Sequence, residues 1–335
     1  MAYTNSVLLQ LQTAMLGLHT EAERRLQLNP VMMMMLKNQA GLFSNLDQII
    51  DSEGVITSAV YFQRTTGTVS HARSADFTGD VGTSAARDLT FQPYVRTFSS
   101  SSKDAMHNTL GSQFLANEFY NAWADIIADI ETDAIAHLES NKSSINAYAG
   151  SFGSFADSLF SIEYKNREII LDIIRSMMKG NDYKRNFDLV YSSDIEVLLR
   201  KFAAQGAANQ TNLVYQFPGF VHAGVSNDFS LKAGETGQFY VSEEGTTGMV
   251  ARIPKLNMDG KVSTVGEWTN VEDPFGFGIR GALCIRDTIV DTGTNTQDLV
   301  RQYELSVDVG FGEAPLSPAG ETVIFKGALL QEGTD

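Results

Sequence analysis

The sequence predicts an α+β fold, and three observations carry that expectation. An apolar stripe at three- and four-residue steps runs from Asn108 to Asn141 without a proline. Two long alternating strands stand near the C-terminus, around 279–286 and 299–311. Between 55 and 98 a β-branched, glycine-punctuated stretch reads as a two-stranded arm. The chain has 335 residues, 43% of them hydrophobic and 19% charged, with a formal net charge of −15. That apolar content excludes wholesale disorder, and the length fits one large domain or roughly two. No run approaches the roughly 18 apolar residues of a membrane span, and no basic region followed by an apolar block opens the chain, so neither membrane nor signal segment is expected. The single cysteine, Cys284, excludes an internal disulfide framework and a Cys-based zinc site, and fits maturation in reducing cytoplasm. Acidity argues against sequence-independent nucleic-acid binding, which needs Lys and Arg to displace counterions.

The first fifty residues read as helix. Leu8, Leu9, Leu11, Met15, Leu16 and Leu18 form an apolar face, and Asn29-Pro30 marks a break. A second short helix restarts at Val31 and runs through the methionines to Asn38. Val55–Phe62 and Leu89–Phe98 are strand-like, and the glycine-, serine-, threonine- and aspartate-rich stretch between them has hardly a bulky apolar residue. Such a tip cannot bury much surface, which favours a protruding arm over a hairpin packed on the body.

In the long helix, Leu110, Phe114, Leu115, Phe119, Trp123, Ile126, Ile127, Ile130, Ala134 and Leu138 recur as one face. Residues 149–156 read as a Gly/Ser/Phe connector. A helix follows from about Lys165 to Lys179, with Ile169, Ile170, Ile173, Ile174, Met177 and Met178 inward and Gly180 as its stop. Phe187–Tyr191 is a short buried strand, and Ser192 or Ser193 caps a helix that Gly206 ends. From 213 onward helix signals vanish. In the final strands Ile279, Leu283 and Ile285 alternate against Arg280 and Arg286. Leu305, Val307 and Val309 likewise alternate against Glu304, Ser306 and Asp308, which are expected to face the other way. Thr322–Leu330 gives a further strand.

Charge is unevenly placed. Residues 104–141 hold seven acids and no Lys or Arg, whereas 51–103 hold five of each sign. Glu118, Asp125 and Asp129 fall on one flank of the long helix. Like charges at i, i+4 repel by a few tenths of a kcal/mol. Either this is a solvated polar face, or it meets basic groups from elsewhere, another subunit included. Divalent-metal capture by Asp125, Asp129 and Asp133 is the least favoured reading.

Motifs for chemistry fail in context. Gly276-Phe-Gly-Ile-Arg-Gly281 matches a dinucleotide fingerprint literally but leads into a strand instead of opening a helix. Ser100-Ser-Ser-Lys103 is a low-complexity match to a Ser-x-x-Lys pattern. His19, His71, His107, His137 and His222 are scattered, and Cys284 reads as a small packing residue. No catalytic, cofactor or metal residues are assigned, and an enzyme is not expected.

A helical arm, a long glycine-rich hairpin, an unusually long helix and a mixed body with long C-terminal strands form a succession. It resembles the major capsid proteins of tailed bacteriophages, with the Hong Kong 97-type fold. The resemblance implies a helical N-arm over 1–50 and an extended E-loop hairpin over 51–103. It places the spine helix and a connector of the peripheral domain at 104–160. The axial domain with part of the peripheral one falls at 161–266, and the C-terminal strands of the peripheral domain at 267–335. It implies a structural subunit, not an enzyme, that self-assembles through hexamers and pentamers into an icosahedral head enclosing double-stranded DNA. No cofactor or membrane is implied. The partners are other copies, with scaffolding, portal and decoration proteins, and packaged DNA contacted weakly if at all. The location is the virion capsid, assembled in the host cytoplasm. An encapsulin-type compartment shell, or a phage tail-tube or sheath subunit, are the alternatives.

One departure from that family is legible. Its type member cross-links through an E-loop lysine, and from Asn38 to Ser102 this chain has none, so a non-covalent shell is expected. The arm instead carries Arg64, Arg73, Arg87 and Arg96, whose guanidinium forks suit carboxylates. These are expected to reach the acidic flank of a neighbouring spine helix (Glu118, Asp125, Asp129) or the acidic C-terminal region, unless they only solubilise the hairpin. A long N-terminal extension that some relatives use as internal scaffold is missing, which leaves that work to a separate scaffolding protein or to the first thirty residues.

Overall fold

The computed structural model describes residues 29–52, 54–62, 84–101, 108–148, 150–183, 186–206, 219–254, 266–291, 297–314 and 323–333. Helices α1 (Pro30–Leu42) and α2 (Leu46–Asp51) come first, followed by strands β1 (Ile56–Phe62) and β2 (Ser84–Ser101). Helix α3 (Asn108–Ser140) has 33 residues and so runs about 50 Å. Leu115, Phe119, Trp123, Ile126, Ile127, Ile130, Ala134 and Leu138 are all buried, as their spacing requires. Phe114 departs from this and is 43% exposed.

Two six-stranded sheets follow. The first has the order β1-β2-β11-β10-β9, with β9 (Glu267–Glu272), β10 (Arg280–Asp291) and β11 (Gln297–Glu313). The far half of β11 also pairs β8 (Thr247–Arg252). The β10–β11 pair is antiparallel, in a register that sets Leu283 opposite Leu305 and Cys284 opposite Glu304. Helix α3 packs on the Leu283–Leu305 face, and Trp123 is fully buried in that core. Gly281 permits this approach, since a Cβ there would stand 2.9 Å from the Ser306 carbonyl oxygen and 3.1 Å from the Trp123 ring. Ser306 and Asp308, expected to face away from the apolar positions of the strand, are buried as well. Ser306 lies in the middle of the sheet between Ala282 of β10 and Val95 of β2, and β8 sets Arg252 opposite Asp308.

The second sheet has the order β3-β4-β12-β7-β5-β6. Its members are β3 (Gly153–Ala156), β4 (Leu159–Ile162), β5 (Phe187–Ser192), β6 (Phe220–Ser226), β7 (Glu235–Glu243) and β12 (Ile324–Leu330). Helices α4 (Ile170–Gly180) and α5 (Ser193–Gly206) cover one face around Phe160, Phe187, Phe239 and Phe325. The stretch read as a connector is in fact the β3–β4 hairpin. Its two-residue turn puts Asp157 and Ser158 at φ 51° and 60°, the left-handed geometry of a tight hairpin turn. The helix expected from Lys165 begins as a 3-10 turn (Tyr164–Ile169), which leaves Ile169 40% exposed instead of inward. Strand β12, grouped by the sequence with 277–311, lies in the other sheet between β4 and β7.

Helix α1 joins the two halves. Its Val31, Met32, Met34 and Met35 enter the α3 core, while its C-terminal end meets β8 through Leu42. Against the second sheet it lies so close that a Cβ on Gly224 would stand 2.3 Å from Pro30 Cβ. Truncation of the fully buried indole in Trp123→Ala is expected to cost about 3–5 kcal/mol, read as a lowered urea midpoint.

Candidate assembly interface

The hairpin expected over 55–98 forms with antiparallel register from Ile56↔Thr90 to Phe62↔Ser84. Its tip, 63–83, lies outside the described residues. Pairing of β2 with β11 ends at Phe91, so Ser84–Thr90 pair with β1 alone. The root is seated on a small core of Leu42, Phe43, Ile49, Ala59, Leu89, Phe91 and Val250.

A buried arginine fixes that root. Arg252 Nη1 donates to the Ser52 carbonyl (2.8 Å) and to Ser52 Oγ (2.5 Å), and Nη2 donates to the Gly54 carbonyl (2.7 Å). Its guanidinium carbon lies 3.7 Å from the Phe91 ring centroid, and Nε lies 3.6 Å from Asp308 Oδ2. Burial pulls the Arg252 pKa down and pushes the Asp308 carboxyl up, while each charge counters the shift of the other. The free edge of β1 is also occupied. Asn45 donates to the Ser58 carbonyl and accepts from Val60 N–H, and Ser44 Oγ donates to the Val60 carbonyl. Strand addition is thereby blocked at 58–60, so the arm presents side chains there and not an open backbone edge.

Arg64 and Arg73 lie outside the described residues. Arg87 Nη1 lies 2.5 Å from Glu313 Oε1, and the other Glu313 oxygen lies 3.0 Å from His137 Nε2 on α3. Burial raises the Glu313 pKa, but His137 and Arg87 outweigh it and hold the carboxyl below its usual range. Arg96 Nε donates to Asp125 Oδ2 at 3.0 Å, both groups about half exposed. Two of the arm arginines therefore have acidic partners within their own chain. Glu118 is half-buried and Asp129 is exposed on the same helix.

The acidic run of 104–141 is not one uniform flank. Glu131 is buried and accepts the N–H groups of Val31 (3.2 Å) and Met32 (2.8 Å), so it caps α1 from the side of α3. Burial, aided by Asp228, pushes its carboxyl up to about 7 against those bonds. Asp133 accepts from the Tyr94 hydroxyl at 2.5 Å. Glu139 takes Lys142, Lys326 (2.9 Å) and the Tyr240 hydroxyl, and although burial works the other way these donors hold it at about 2. The signal for Glu131 lay in its phase: it follows Ile127 by four residues and precedes Ala134 by three, on the apolar stripe. Asp188 was not signalled at all. It accepts from Asn38 Nδ2 at 2.7 Å and lies 2.7 Å from His222 Nδ1, and burial raises its pKa.

The fingerprint-like loop holds an anion of its own. Asp273 accepts N–H bonds from Phe275 (2.9 Å), Phe277 (3.0 Å) and Ile279 (2.8 Å), with Gly276 and Gly278 at φ 81° and 77°. The carboxylate occupies the nest that a phosphate would need. Cys284 is buried, and its thiol is pushed up by that burial. Among the described residues no group of three or more His, Cys, Asp or Glu is placed to hold a metal ion, and no helix is long and apolar enough to cross a membrane.

No protein-family model matches the chain, and no curated protein matches it. Solved structures align over most of its length. A chain from Mycobacterium phage Che8 aligns at 14% identity with a TM-score of 0.46, covering 87% of this chain and 89% of that one. The capsid asymmetric unit of cyanophage A-1(L) aligns at 13% identity and TM-score 0.45, covering 85% and 91%. A virus-like particle from Pyrococcus furiosus aligns at 10% identity and TM-score 0.42, covering 89% and 97%. Phage capsid structures are among those to which this α+β chain is similar.

Glu131 sets a pH dependence. Its folded pKa lies above the unfolded value, so its contribution is fully present below about 4.5 and is lost as pH rises through about 7. A displacement of that size corresponds to about 3 kcal/mol. Urea midpoints are expected to fall between pH 5.5 and pH 8.5, and Glu131→Gln is expected to flatten that fall.

Proposed function

We propose that this chain is a structural shell subunit, the major capsid protein of a tailed phage, which self-assembles into a closed icosahedral head around double-stranded DNA. The observation that carries the reading is the arm. Strand β2 continues for Ser84–Thr90 beyond its last backbone partner on β11, about 23 Å at the usual rise of a strand, and among the described strands only β1 pairs with it there. A two-stranded ribbon is marginal by itself in water. A root fixed by a buried arginine, with β-ribbon reaching away from the core, suits a segment whose apolar and charged groups are completed by another copy. The succession of arm helix, hairpin, 33-residue helix and two sheets supports the same reading through the resemblance to the Hong Kong 97-type capsid fold.

In this reading the shell is non-covalent, because residues 38–102 carry no lysine, and its copies enclose DNA without gripping it. Arg64 and Arg73, nearer the tip, are the arginines assigned to acids of a neighbour. Arg87 and Arg96 share their charge with Glu313 and Asp125 of their own chain. Expressed alone or with its scaffolding protein, the chain is expected to give closed shells in negative-stain electron microscopy. Open tubes would instead support a tail protein, and small discrete particles would sink the shell reading. Boiled in detergent, the shells are expected to run as a single 36.7 kDa band without a cross-linked ladder. Arg73→Glu is expected to leave the melting temperature unchanged and to abolish closed particles. Unaltered assembly would remove Arg73 from the contact.

A further inference from the structure

Two arginines tie the hairpin to the body, and they are held differently. Arg252 is 2% exposed, with its fork on the Ser52 and Gly54 carbonyls and its Nε near Asp308. Arg87 lies farther along the ribbon, opposite Ala59 of β1, with 33% of its side chain exposed. Its acidic partner among the described residues is one oxygen of Glu313, the last residue of β11. The other oxygen of Glu313 lies 3.0 Å from His137 Nε2. His137 is itself fixed on α3. Its ring stacks on Phe311 with centroids 5.7 Å apart, and Asn141 Nδ2 lies 3.2 Å from its Nδ1 while also donating to the His137 carbonyl. One carboxylate thus joins the ribbon, the end of β11 and the long helix.

The two attachments differ in what their opening leaves behind. Withdrawal of Arg252 from its partners strands a guanidinium in the interior, which is strongly unfavourable. Withdrawal of Arg87 moves a part-exposed guanidinium into water, and Glu313 keeps His137 on its second oxygen. On its other edge the ribbon is held by uncharged bonds, between the side chains of Ser44 and Asn45 and the backbone of Ser58 and Val60. Beyond Arg87 the described ribbon has only the pairs Val60↔Ala86, Tyr61↔Ala85 and Phe62↔Ser84. We propose that Arg87, Glu313 and His137 form a latch that ties this outer part of the ribbon to α3 and opens without disturbing the root. With the latch closed, ribbon and long helix move together. With it open, the ribbon from Arg87 outward moves while Arg252 keeps the root in place. The inference concerns one chain and does not rest on the shell reading.

Amide hydrogen exchange of the full chain, read by mass spectrometry at equal oligomeric state, tests the latch. In Arg87→Met, exchange at Val60–Phe62 and Ser84–Ala86 is expected to rise about fivefold, while α3 exchange and the melting temperature stay as in the wild type. Glu313→Ala is expected to free the same amides. The double variant Arg87→Met/Glu313→Ala is expected to exchange there no faster than Glu313→Ala, because both changes remove one contact. Unchanged ribbon exchange in Arg87→Met overturns the proposal, and so does a rise shared equally by ribbon and α3, or effects that multiply in the double variant. Arg87→Met retains the aliphatic stem at a half-buried position, so the test stands even where Glu313→Ala fails to fold. Arg252→Met is expected to lower the melting temperature of the whole chain. An Arg252→Met protein as stable as the wild type would overturn the distinction between root and latch.

Discussion

Helix α1 buries Val31, Met32, Met34 and Met35 in its first two turns, and a helix start so buried is stable only where its terminal N–H groups find acceptors that water can no longer supply. Pro30 removes one donor, and Glu131 of α3 takes the next two, at Val31 and Met32. Further along, Asn38 reaches Asp188 of β5. One helix is thus held by a carboxylate from the long helix of the first sheet and a carboxylate from the second sheet. Four consecutive methionines suit the place. Their unbranched, polarisable side chains fill an irregular joint that β-branched residues would fit less readily. The relative position of the two sheets follows from where this helix can sit.

The arm depends on the same joint. Helix α1 ends on β8 at Leu42 and Phe43, and from β8 Arg252 reaches the carbonyls of Ser52 and Gly54 at the root of the hairpin. A buried guanidinium is costly to desolvate, and its worth lies in geometry: its fork fixes two backbone segments at once while its face lies on Phe91. A projecting ribbon that had to be ordered at the moment of contact would lose much of its binding energy to entropy. A root held in one orientation lowers that cost. The closed outer edge of β1 works in the same direction, since an open edge would pair with any strand it met.

Much of the fold was legible in the sequence because its signals are periodic and local. The long helix, the two long alternating strands near the C-terminus and the buried strand at 187–191 follow from local pattern alone. The β3–β4 hairpin was hidden because its turn uses Asp157 and Ser158 in left-handed geometry instead of a glycine. Strand β12 could be recognised as a strand, but its sheet is decided by partners far away in the chain. Asp308 alternates with the apolar positions of β11 and is buried where β8 arrives from elsewhere in the chain with a charge for it. At the candidate interface, pairing within the chain was not foreseen. Arg96–Asp125 and Arg87–Glu313 join groups 29 and 226 residues apart.

Those internal pairs change what charge can do between copies. Of the seven acids in 104–141, Glu131, Asp133 and Glu139 serve the interior and Asp125 faces Arg96, which leaves Glu118 and Asp129 as the described acids of the original flank without an assigned internal partner. Exposed ion pairs contribute about 0–1 kcal/mol each and are screened within about 8 Å at physiological salt. In the proposed shell, these described charges cannot by themselves supply the adhesion between copies. They can decide register and exclude wrong contacts, because like charges brought together cost more than correct pairs return. Adhesion must then come from apolar area presented at a fixed angle, which returns the weight of assembly to the rigid root of the arm and to the buried carboxylate that seats the helix beneath it.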